Sequence, residues 1–134
     1  MSSSLDDLLG PVSPKPDGSE IFEALTEAAR ERILILDGAM GTQIQDLGLG
    51  EDHFRGERFG GCACHQQGNN DLLILTQPKM IEEIHYNYAI AGADIVETNT
   101  FSSTTIAQAD YGMEEMVYEL NRDGARLAKR AMIR

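Results

Sequence analysis

The apolar run Ile33-Leu34-Ile35-Leu36, stopped by Asp37-Gly38, constrains the fold of this chain more than any other feature. Four β-branched or branched residues without a polar interruption describe a strand covered on both faces, as in a parallel sheet. A second such run, Leu72-Leu73-Ile74-Leu75, follows the turn-forming Gly68-Asn69-Asn70-Asp71, and Ala93-Asp94-Ile95-Val96-Glu97-Thr98 reads as a third. Between them the spacing predicts helices over about 20–31, 78–91 and 113–133, with a short one starting near Ser103 or Thr104. Ser19 is the expected cap of the first, and Thr76 that of the helix opened by Pro78. Ile81, Ile84, Tyr88 and Ala91 form the stripe of that second helix, which ends at Gly92. Gly124 inside the last helix implies close packing of a neighbour there. Strands alternating with helices give an α/β class with about three parallel strands.

The 134 residues are 42% hydrophobic and 25% charged, which suits one soluble domain with a real core. Residues 1–18, rich in Ser, Pro and Gly, are expected to be a flexible leader, and residues 19–134 the domain itself. Nothing approaches the roughly 18 apolar residues of a membrane helix, and the first residues lack the basic start and apolar stretch of a secretory signal. A cytoplasmic setting follows as the expectation. The net charge of −11 argues against nucleic acid as partner, since phosphate contacts need clustered Lys and Arg.

Functional groups of parallel α/β folds gather at the carboxyl ends of strands. That points to Asp37-Gly38-Ala39-Met40-Gly41-Thr42 and to Glu97-Thr98-Asn99-Thr100-Phe101. Asp37 can take a hydrogen bond from a ligand ammonium, or it can cap the following helix while the glycines make a turn; spacing leaves both open. Strand alternation would send Glu97 and Asn99 to one face and Thr98 to the other. The glycines do not fit a dinucleotide fingerprint. Cys62-Ala63-Cys64-His65 is cramped for zinc and has no second ligand pair, so free loop cysteines are the expectation. His85 reads as a packed or surface-bordering histidine, His53 as a loop residue, Glu82-Glu83 as a solvated pair, and Met113 and Met116 as core.

The segments ILILDGAMGT, HFRGERF, GNNDLLILTQP and IHYNYAIAGADIVETNTFSSTTIAQADYG, in that order, resemble the cobalamin-dependent methionine synthases. GADIVETNTF alone suits the wider homocysteine methyltransferase family. The resemblance runs from about Ile33 through the last helix. It implies the first strands and helices of a (β/α)8 TIM barrel, incomplete, because such a barrel takes about 250 residues. It also implies that Asp37 and Gly38 contact the amino-acid end of homocysteine, with Thr98 a further contact and Glu97 and Asn99 nearby. In that family zinc is held by cysteines late in the barrel, which Cys62 and Cys64 do not match. Methylcobalamin and methyltetrahydrofolate act through other domains. Zinc and cobalamin are thus expected for the full-length enzyme, with no metal site, no catalytic residue and no bound cofactor in this chain, which alone should not turn over. Two alternatives stand beside this reading: a non-catalytic module that self-associates through open sheet edges, and a homocysteine methyltransferase using another donor.

Overall fold

The computed structural model describes residues 5–11 and 17–134, and over them the chain is helical. Eight α-helices follow one another: α1 (Leu5–Leu9), α2 (Gly18–Glu31), α3 (Met40–Asp46), α4 (Glu51–Arg55), α5 (Leu73–Thr76), α6 (Pro78–Ile90), α7 (Thr105–Gln108) and α8 (Val117–Ile133). Short 3-10 turns at Asn70–Leu72, Ala109–Tyr111 and Glu114–Met116 join some of them.

This overturns the expected α/β class and the parallel strands of a partial TIM barrel. No strand occurs among the described residues; Leu36 and Ile95 share one isolated parallel bridge. The run 72–75 is not extended at all. It closes a 3-10 turn and enters α5, with Leu72, Leu73 and Ile74 fully buried. A short run buried all round looks the same in sequence whether it is strand or helix. The run 33–36 is extended but uncovered: Ile33 is 88% exposed and Ile35 57%. Half of the leader expected over residues 1–18, residues 1–4 and 12–16, lies outside the described residues. Leu5–Leu9 form α1, where Leu9 packs on the core and the carbonyls of Leu8 and Gly10 accept from Arg130 and Arg126 of α8.

Helix limits follow local chemistry. Asp17, rather than Ser19, caps α2, its carboxylate accepting from the Ser19 amide at 2.9 Å. Gln77 takes the cap position of α6 with Pro78 in its first turn, while Thr76 ends α5. Thr104 caps α7 by accepting from the Ala107 amide. Gly92, at φ 108, takes the left-handed conformation that stops α6.

The core lies where α8 crosses α6 and α5. Leu120 and Leu127 of α8 meet Ile81 and Ile84 of α6 and Leu73 and Ile74 of α5, closed by Ile44 and Phe54. Met113 joins Phe59 and Leu72 in a second, smaller cluster. Two charged groups enter this interior. Asp123 is fully buried on α8 and takes both Arg122 and Arg126 at 2.8 Å; burial pushes its carboxyl up, but the two guanidinium groups prevail and hold it below the ordinary range. Glu82, expected on a solvated face, is also buried and pairs with Arg130 at 3.2 Å, leaving Glu83 outside with Arg134.

Gly124 sits at the tightest crossing. A Cβ there would lie 2.7 Å from the Thr100 methyl and 3.0 Å from Ile74 Cδ1. Substituting Gly124→Ala gains about 1 kcal/mol of helix propensity but overpacks a filled core, which costs about 1–3 kcal/mol. The expected net result is a lower urea midpoint; an unchanged or raised midpoint would refute this close crossing.

Candidate functional site

Two extended segments build the site, and one aspartate fastens them. Asp94 takes the Arg32 guanidinium in a fork, at 2.5 and 2.7 Å, and the Ile35 amide at 2.9 Å. The Arg32 hydrogen bond, with that of the Ile35 amide, pulls the Asp94 carboxyl down to about 2. Backbone bonds complete the join: the amides of Asp94 and Ile95 donate to the Ile35 carbonyl at 2.8 and 3.2 Å, and the Asp37 amide to Ile95 at 2.9 Å. The register places the Asp37 carboxylate against the Glu97 amide, which donates to it at 2.9 Å.

Asp37 therefore does not cap α3. Ala39 holds that position in the left-handed conformation, φ 50, with no side-chain cap bond. A non-glycine residue there carries about 1–3 kcal/mol of local strain, of the kind that clusters at ligand-binding turns. Gly38 has open space where a side chain would stand.

Beside this turn opens a cleft of about 610 Å³. All five residues singled out in the sequence, Asp37, Gly38, Glu97, Thr98 and Asn99, line it. They are not equivalent. Glu97 and Thr98 are exposed, and the Thr98 hydroxyl meets that of Thr100 at 2.6 Å. Asn99 is buried, its amide committed to the Asn70 carbonyl at 2.8 Å. Glu97 and Asn99 thus differ in burial although both line the cleft, and the segment that carries them is not a pleated strand.

The opposite wall was missed in the sequence, where Gly68-Asn69-Asn70-Asp71 registered only as a turn. Asp71 is buried and braces the 97–103 loop, one oxygen accepting from the Ser102 amide at 2.8 Å and the Ser103 hydroxyl at 2.6 Å. Burial raises its carboxyl against those bonds. Behind it Asn69 and Gln108 exchange amide hydrogen bonds at 2.9 and 3.0 Å. A run of Asn and Asp is the signal that could have found this wall, since such side chains bond to nearby backbone.

The Cys62–His65 loop is tied by its backbone. Arg55 donates to the carbonyls of Cys62 and Cys64 at 2.6 and 3.0 Å, and His65 pairs with Glu51 at 2.9 Å. Among the described residues no three His, Cys, Asp or Glu side chains converge on a metal position, so Cys62 and Cys64 offer no fit to zinc. His53 lies in α4 rather than a loop, and His85 is fully buried on α6. Among the described residues no helix is long and apolar enough to cross a membrane. The homocysteine S-methyltransferase family model matches residues 34–134, the stretch that carries both walls of the cleft.

The Asp94 clamp has an acid limit. Its carboxyl lies below the ordinary 3.8, so the stabilisation is whole above that value and lost as pH falls towards 2. Protection of the Ile95 and Asp37 amides, taken relative to the intrinsic exchange rate at each pH, should fall over that window, and in Asp94→Asn it should be low already at neutral pH. Unchanged protection in the variant would show that the backbone bonds hold the segments unaided.

Proposed function

We propose that this chain, which belongs to the homocysteine S-methyltransferase family, holds homocysteine by its amino-acid end in the cleft beside Asp37. The observation that carries this reading is the seat of the Asp37 carboxylate: fixed by the Glu97 amide, it faces a cleft shared with Glu97 and Thr98. A fixed carboxylate suits an ammonium, and the charge-assisted bond between them is stronger than a neutral one. The Thr98 hydroxyl, already oriented by Thr100, adds a polar contact beside it. Gly38 leaves backbone accessible to the ligand where a side chain would stand.

The methyl acceptor is then the homocysteine sulfur, directed away from Asp37, and the product is methionine. In this reading the donor is methylcobalamin, recharged from 5-methyltetrahydrofolate, both carried by other domains. The HFRGERF and GNNDLLILTQP segments support that branch of the family over one with another donor. The chain's own part is binding and orientation. Because its described residues offer no zinc site, no step here runs through zinc, and the chain alone is expected to yield no methionine from homocysteine and methyl donor. The unbridged Cys62 and Cys64 suit a reducing, cytoplasmic setting.

Calorimetry with homocysteine and with 4-mercaptobutyrate, which lacks the amino group, tests the binding mode. Homocysteine should bind and the des-amino compound should not. Asp37→Asn keeps an oxygen for the Glu97 amide but loses the charge, and should weaken homocysteine by at least about tenfold, the worth of one charge-assisted bond. Equal binding of both compounds, or an indifferent variant, would refute the role of Asp37.

A second reading rests on a different observation. Ile33, Ile35 and Leu36 are 88, 57 and 51% exposed beside Ile95, forming an apolar edge that soluble chains seldom leave open. Self-association through this edge predicts a mass by light scattering that rises with concentration. A constant monomer mass at high concentration would exclude it.

A further inference from the structure

The cleft carries acids but no cationic side chain: Lys, Arg and His are absent from its lining. An α-amino acid brings a carboxylate as well as an ammonium, and Asp37 and Glu97 repel the carboxylate. That end of a ligand needs uncharged N–H or O–H donors. Most side-chain donors of the lining are already committed. Thr98 and Thr100 meet one another at 2.6 Å, Asn99 donates to the Asn70 carbonyl, and Asn69 exchanges bonds with Gln108. Tyr111 is different. It lines the cleft, half-buried, and among the described residues no hydrogen bond engages its hydroxyl. It packs against the cluster of Phe59, Leu72 and Met113. Its backbone is fixed as well: the carbonyl accepts from the Gln66 side chain at 2.8 Å, and Gly112 follows in the left-handed conformation at φ 65. The hydroxyl comes up against Gly68, where a Cβ would touch it at 3.7 Å. Gly68 is held at φ 99 and also lines the cleft, so the hydroxyl is not covered by a side chain there. Asn70 and Ser102 are the remaining side-chain donors of the lining, and both lack the reach of a phenol.

We infer that the Tyr111 hydroxyl donates to the carboxylate of a ligand whose ammonium lies at Asp37, and so selects α-amino acids over simple amines. The ligand is then read at both charged ends by opposite chemistry, an acceptor fixed by the Glu97 amide and a donor fixed by its seat on the core. A rigid phenol loses little freedom on binding, which favours it over a long flexible donor. The acid beside it on the far wall, Asp71, is buried and already accepts from Ser102 and Ser103. A hydrogen bond to a charged group is worth about tenfold or more in affinity. The inference rests on the homocysteine reading above for the seat of the ammonium.

Calorimetry on the whole chain tests this with homocysteine and with 3-aminopropanethiol, the same molecule without its carboxylate. The native chain should bind homocysteine at least about tenfold more tightly than the aminothiol. Equal affinities would overturn the inference, and this comparison needs no variant to fold. Tyr111→Phe removes only the hydroxyl, so its urea midpoint should match that of the native chain. It should weaken homocysteine about tenfold and leave the aminothiol unchanged, so that the two bind alike. Equal weakening of both compounds would overturn the contact and leave Tyr111 a structural residue of the wall; so would a variant that binds both as the native chain does. Asp37→Asn separates the inference from the reading beneath it, because both compounds carry the ammonium and both should weaken. Loss in Asp37→Asn with none in Tyr111→Phe defeats the Tyr111 contact alone. A carboxylate-selective loss in Tyr111→Phe with an indifferent Asp37→Asn sustains that contact and defeats the seat of the ammonium at Asp37. A native chain that binds no homocysteine overturns both.

Discussion

The cleft depends on one carboxylate that is not part of it. Asp94 joins an arginine fork, a backbone amide and the start of a segment to which α6 delivers the chain. Only one isolated bridge links the two extended segments, so the backbone alone supplies few bonds to set their register. Asp94 supplies the rest, and the register in turn puts Asp37 opposite the Glu97 amide. A slip by one residue would carry the Glu97 amide away from the Asp37 carboxylate. The seat of Asp37 is therefore inherited from an ion pair on the outer surface, some distance along the chain.

Behind the cleft the order of cause runs through α8. Its apolar stripe covers α6 and α5, and Gly124 lets it approach until Thr100 and Ile74 fill the space a side chain would have taken. Thr100 holds the Thr98 hydroxyl, so the cleft surface is braced by the core packing directly behind it. The far wall is braced differently, by Asp71 and the Asn69–Gln108 pair, whose buried polar atoms are matched to one another and to loop backbone. A fully satisfied polar cluster of this kind fixes a loop in one arrangement, where an apolar patch would tolerate several.

Helices α2, α6 and α8 were legible because each carries a period of 3.6, and Gly92 after α6 and Thr104 before α7 supplied a chemical stop and start. The class was not legible, because it rested on apolar runs that have no period. Ile33, Ile35 and Leu36 are extended yet exposed, and Leu72, Leu73 and Ile74 are buried in helical turns; neither fact is encoded in four consecutive aliphatic residues. Glu82 was misplaced because its partner, Arg130, is far away in sequence. The near wall of the cleft was found from Asp37 and Glu97–Asn99, since polar residues that end an apolar run are conspicuous. The far wall was hidden in a turn whose side chains look inward.

The charges around the cleft also sort themselves by burial. Asp37, Glu97 and Asp71 all line it, three acids for an entering cation. Asp71 is withdrawn from that competition: it is buried, its oxygen is engaged by Ser102 and Ser103, and burial works against its charged form. Glu97 lends its backbone to the site, but its side chain is exposed, where solvent and salt weaken any single pair. Asp37 is half-buried and its carboxylate is fixed by the Glu97 amide at 2.9 Å, so it is better placed than the exposed Glu97 side chain. On the proposed reading a ligand ammonium is therefore held at Asp37, and the groups that position Asp37 act on it at one remove.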